Sequence, residues 1–272
     1  MSYLLLASKR LEATVSIDPN YTDAIHLWGN VLVRLGLSMQ ETSYYQEADK
    51  KYAAVSMVLK EDKEKRALLY WDWGLCWHHL GKQSTEAIDF HHALEKYAMA
   101  NDLQCKEADF FVDYANAMVE MGNLLKDKRW FVQAIETYRK SLDIDATSYE
   151  THFRLSCILA TFYDFTSNES YYLEATHSFQ TAAQLDPENK DLWLEWGKLL
   201  AMAGLKKGDL RLLAQSVDCY KRADQCYRDN SSILAHWGET LVFMASFTED
   251  IECLKEAEKV IVRALEICSE SI

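Results

Sequence analysis

The chain has 272 residues, with 29 Lys and Arg against 42 Asp and Glu and a formal net charge of -13. A phosphate backbone repels such a surface, which argues against nucleic acid as a ligand, and no apolar run approaches the roughly 20 residues that cross a membrane. Seven cysteines, an odd number with no C-x-x-C, do not read as a disulfide framework; they suit free thiols in a reducing cytoplasm, with Cys76 and Cys219 beside packing positions.

The first predicted element is a lone helix over about residues 3–17, carrying Ala7 and Leu11 and closed by Asp18-Pro19. Proline cannot continue a helix and disfavours helical geometry just before it. The opening MSYLLLASKRLEA has no leading positive charge and does not read as a signal peptide. A pattern then runs six times through the chain. Trp28-Gly29 is followed by Ala48, Tyr52 and Val55, and Trp73-Gly74 by Ala93, Tyr97 and Ala100. Tyr114-Ala115 precedes Ala134, Tyr138 and Ser141, while Leu155-Ser156 precedes Ala175, Phe179 and Ala182 and closes at Asp186-Pro187. Trp196-Gly197 leads to Ser216, Tyr220 and Ala223, and Trp237-Gly238 to Ala257, Ile261 and Ala264. The period is 41 residues except for a first step of 45, whose four extra residues fall in the charged run near Leu59–Arg66. Large-x-x-large-small, then small-x-x-x-large-x-x-small, is a helix pair seen from its contact faces, because spacings of 3 and 4 keep each set on one side of a helix.

These columns resemble the tetratricopeptide repeat, a W-x-x-L-G-x-x-Y helix followed by an A-x-x-x-F-x-x-A helix and often a proline, over nearly the whole chain. The resemblance implies an all-α, right-handed superhelical solenoid of antiparallel helix pairs: one domain over residues 1–272, with a lone first helix and six pairs, thirteen helices and no strand. The family's period is 34 residues. The excess of seven reads as about one more turn on each helix of a pair, and Tyr44-Tyr45, Trp130-Phe131, Tyr171-Tyr172 and Leu212-Leu213 support that. Gly36, Gly81, Gly122 and Gly204 share one place near the end of the first helix and are expected to terminate it.

Chemistry is not evident. There is no G-x-x-x-x-G-K-[ST], G-x-G-x-x-G, H-E-x-x-H or G-x-S-x-G. The pairs His78-His79 and His91-His92 flank one turn, but neighbouring residues on a helix point about 100° apart, and the ordered mixture of cysteine, histidine and carboxylate that metals use is missing. No catalysis, metal or cofactor is expected, and most of the aromatic residues sit in packing columns.

In the resembled family the first helices line a groove that binds partner peptides or helices. Carried over by register, that wall comprises His26, Asn30 and Arg34; Trp71, Leu75, His78 and His79; Val112, Asn116 and Glu120; Phe153, Cys157 and Thr161; Leu194, Lys198 and Met202; and Ala235, Glu239 and Phe243. Asn30 and Asn116 match the asparagines of the family's carboxylate clamps, but the basic residues are mostly absent, so an apolar peptide or amphipathic helix is the expected ligand, with Trp71 and Phe153 as anchors. The expected function is therefore a cytoplasmic protein-interaction module or scaffold. The alternatives are a regulatory region of a longer protein and a secretion-type chaperone for a client. Val260, Ile261, Val262, Leu265 and Ile267 leave the last helix without a polar cap, which suggests either further sequence or self-association through that end.

Overall fold

The computed structural model describes residues 2–270. The described residues form thirteen α-helices and no strand: α1 (Ser2–Ile17), α2 (Thr22–Met39), α3 (Thr42–Val58), α4 (Lys63–Ser84), α5 (Ala87–Asp102), α6 (Ala108–Leu125), α7 (Lys128–Ile144), α8 (Tyr149–Thr166), α9 (Glu169–Leu185), α10 (Lys190–Lys207), α11 (Leu210–Cys226), α12 (Ser231–Thr248) and α13 (Ile251–Glu270). They make two compact units, Met1–Ala146 and Thr147–Ile272. In the first, α2 packs on α3, α4 on α5 and α6 on α7, and α1, α3 and α5 each also pack on the first helix that follows them. In the second unit the pairs are α8 with α9, α10 with α11 and α12 with α13. Within each unit successive first helices touch as well, α2 with α4 and α4 with α6, then α8 with α10 and α10 with α12. Within each unit this is the all-α, tetratricopeptide-like solenoid arrangement, in which a helix pair contacts only its neighbours along the chain.

The packing follows the columns. Ala48, Ala93, Ala134 and Ala175 are fully buried, as are Tyr52, Tyr97, Tyr138, Phe179 and Tyr220 four residues further on. A small residue brings two helix axes together, and the ring beside it fills the remaining space. A Cβ on Gly29 would stand 2.7 Å from the ring of Tyr52. α4 has 22 residues where α6 has 18, so the long first spacing is spent on one more turn.

Gly36, Gly81, Gly122 and Gly204 do not terminate helices. They lie inside them, and a Cβ on Gly36 or Gly122 would meet the ring of Tyr45 at 2.8 Å or Phe131 at 2.7 Å. They form a second layer of small against large, which occupies the extra turns; the fourth repeat has Tyr163 against Tyr172 there, with ring centroids 5.3 Å apart. The terminators come four residues later. Gln40, Thr85, Lys126, Ser167, Gly208 and Glu249 all adopt the left-handed conformation, with φ between 52° and 64°, which frees the last carbonyls for capping bonds. At the other ends Ser148, Asn168, Asn189, Asp209 and Asn230 accept hydrogen bonds from backbone N–H groups of the first turn, each worth about 1 kcal/mol.

Candidate functional site: a cleft on the first helices

In the unit from Thr147 onward, the first helices α8, α10 and α12 frame one cleft of about 390 Å³. Side chains three to four residues apart on each helix share a face, so Cys157, Thr161 and Asp164 enter from α8, Glu195, Lys198, Met202 and Leu205 from α10, and His236, Glu239 and Phe243 from α12. Tyr220 and Thr240 also line it. Six of these, Cys157, Thr161, Lys198, Met202, Glu239 and Phe243, are wall positions inferred from the register.

The electrostatics are uneven. Lys198 Nζ lies 2.7 Å from Glu195 Oε1 along α10, and Asp164 Oδ1 lies 3.0 Å from Lys206 Nζ. The side chain of Glu239 is 63% exposed, and its nearest basic group is His236 Nδ1 at 3.9 Å, an ion-pair contact too long for a hydrogen bond. The His236 ring stacks on Tyr220 at 6.2 Å. Burial, with Lys198 adding to it, holds this imidazole below its usual range, while Glu239 and Glu195 oppose the shift. The Cys157 thiol is pushed up to about 12, chiefly by burial, so it stays protonated at neutral pH and is no nucleophile.

Wall residues in the unit up to Ala146 are arranged differently. His26 Nε2 lies 2.7 Å from Asp72 Oδ2, and Asn30 Nδ2 donates to the same oxygen at 2.8 Å. The buried Tyr52 hydroxyl donates to Asn30 Oδ1 at 2.7 Å, so one chain of hydrogen bonds joins α3, α2 and α4. Trp71 Nε1 donates to Asp113 Oδ2 at 2.8 Å, which ties α4 to α6, and its ring meets Phe110 edge-on. Tyr138 Oη donates to Asn116 Oδ1 at 2.6 Å. In the second repeat Leu75 stands where these asparagines would be, and the Tyr97 hydroxyl is left buried without a hydrogen-bond partner among the described residues.

Two wall assignments need correction. His78 is 6% exposed and Val112 is 7% exposed. Both face the packing: the His78 ring lies against Phe90 and Tyr97, so neither offers its side chain to a ligand. Trp71, half-buried, is held by its hydrogen bond, and Phe153, also half-buried, stacks on Tyr149 at 5.9 Å. Leu75, His79, Glu120 and Leu194 are half-buried; Arg34 and Ala235 are exposed. The register reading passed over one column, two residues before each first-helix contact glycine or its equivalent. Leu27, Asp72, Asp113, Arg154, Glu195 and His236 occupy it, and three of these six are carboxylates, which is the signal the sequence carries. Among the described residues no group of three or more His, Cys, Asp or Glu side chains could hold a metal, and no helix is long and apolar enough to cross a membrane.

No protein-family model matches the chain, and no curated protein matches it. Its fold is that of tetratricopeptide-repeat proteins. The C-terminal part of a TPR repeat-containing protein from Cytophaga hutchinsonii superposes with a TM-score of 0.69 at 15% identity, over 97% of this chain and 94% of that one. YrrB, described as a TPR protein with an unusual peptide-binding site, gives 0.56 at 13% identity over 84% and 97%. MamA from Desulfovibrio magneticus gives 0.58 at 15% identity over 77% and 98%.

Proposed function

We propose that this protein is a non-catalytic interaction module that seats a partner peptide or helix against its first helices, in the cleft of α8, α10 and α12. One observation carries the reading: wall positions of three successive first helices converge on a single cleft of about 390 Å³. The expected apolar anchors Trp71 and Phe153 are already engaged within the protein, the first by Asp113 and the second by Tyr149. The weight of the proposal therefore moves to Thr161, Lys198, Met202, Glu239 and Phe243. Recognition would follow the helix-in-groove mode, with pockets reading side chains about one turn apart.

The test is to pan a random peptide display library on the whole protein and measure the enriched peptides on Met202→Arg, which fills the cleft. Binding should be lost while the helical circular dichroism is unchanged. Peptides that bind Met202→Arg as well as the parent would sink the proposal.

A further inference from the structure

We propose that the cleft of α8, α10 and α12 selects a partner segment that carries a lysine or arginine beside an apolar residue, and that Glu239 is the seat of the cation. This rests on the groove reading above and names the chemistry of its occupant.

Three carboxylates line the cleft, Asp164, Glu195 and Glu239, against one lysine, Lys198. Lys198 is committed to Glu195 at 2.7 Å, and Asp164 is met from its own side by Lys206 at 3.0 Å. Among the described residues the ion-pair contact of Glu239 is with His236, at 3.9 Å, and burial lowers the proton affinity of that imidazole. The Glu239 carboxylate is therefore without a lysine or arginine at ion-pair distance among the described residues, at the mouth of the cleft, where a cation can approach it.

One turn along α12 from Glu239 stands Phe243, 37% exposed, and across from it Met202 and Leu205 complete an apolar floor. A lysine or arginine stem can lie on such a floor while its head reaches the carboxylate, and the Phe243 ring adds a face for the cation. An acidic segment would instead bring its carboxylate against Glu239 and Glu195 with only Lys198 to answer, and that lysine would have to leave its partner. Like-charge juxtaposition of this kind suppresses wrong partners. The formal charge of -13 acts in the same direction at long range and speeds encounter with a basic partner.

Three fluorescein-labelled amphipathic 16-residue peptides, with identical leucine positions and with Lys/Arg, Gln or Glu at the polar positions, test this by anisotropy on the full chain. The variants are Glu239→Lys, Met202→Arg and, as a control for diffuse charge, Glu258→Lys on α13, each checked by circular dichroism. The basic peptide should bind about tenfold tighter than the Gln peptide and weaken with salt. Glu239→Lys should cost it about tenfold or more, and Glu258→Lys less than about twofold. Equal binding of the Gln or Glu peptide, lost in Met202→Arg, would overturn the charge selection and leave the groove reading standing. Equal losses from the two lysine substitutions would show attraction to net charge alone and overturn the Glu239 seat. Failure of all three peptides to bind would remove the groove reading and this inference with it.

Discussion

The two units carry the same register and use it in opposite ways. Up to Ala146 the first-helix wall is stapled: Asp72 is consumed by His26 and Asn30, Asn30 by Tyr52, and Asp113 by Trp71. From Thr147 onward the corresponding positions leave a cleft, in which Lys198 pairs locally with Glu195 and Glu239 points at solvent. The lesson is that the repeat decides which residues reach the wall, and the residue one column away decides whether they are free once there. An asparagine or tryptophan facing the next helix's carboxylate closes the wall; a lysine three residues from its own glutamate leaves it open.

The largest effect should come from what the units share, the packed column of rings. Trp196 stacks on Phe179 and Trp193, and Trp196→Ala should cost about 3–5 kcal/mol through the cavity it leaves, read as a shift in the denaturant midpoint. A midpoint matching the parent's would show that the column is not where the helices are held.

The next effect belongs to the first unit alone. Burial lowers the His78 imidazole from 6.5 to about 3, and its Nε2 has no hydrogen-bond partner among the described residues. The unfolded chain then binds the extra proton first, so stability should fall as pH drops from about 6.5 towards 3. By pH 4.5 the loss should be about 2–3 kcal/mol from this group. In His78→Leu, the fall between pH 7 and pH 4.5 should shrink by that amount, whatever the variant's absolute stability. An unchanged pH dependence would mean that the ring is solvated.

Smaller, and aimed at the contrast itself, is the pair Asp72→Ala and Glu195→Ala. The first strands two partly buried polar groups and should cost about 1–3 kcal/mol. The second breaks a pair whose members are each 37% exposed and should change stability by no more than about 0.5 kcal/mol. Equal costs in urea melts would erase the distinction between stapled and open walls.

Most of the fold was legible because contact faces repeat: Gly29, Gly74, Gly197 and Gly238 with their downstream alanines or serine encode close approach directly. The helix ends were not legible. Five of the six left-handed terminators, Gln40, Thr85, Lys126, Ser167 and Glu249, are not glycine, and the glycines that drew attention serve a second packing layer. The wall was legible only in part. Its boundary depends on how closely the next first helix crosses, a tertiary quantity, and a step of one residue turns a side chain by about 100°. That is how Val112 and His78 were placed on the wall while Asp72, Asp113 and Glu195 were passed over.

The central claim is that the open wall, and not the stapled one, receives the partner. A photo-crosslinking residue, p-benzoylphenylalanine, placed at Thr161 in one protein and at Arg34 in another tests it most directly, since both positions are exposed and belong to the same column of the repeat. With the basic amphipathic peptide, the expected result is a crosslinked adduct at position 161 that excess unlabelled peptide suppresses, and little at position 34. A specific adduct at position 34 with none at position 161 would contradict the account.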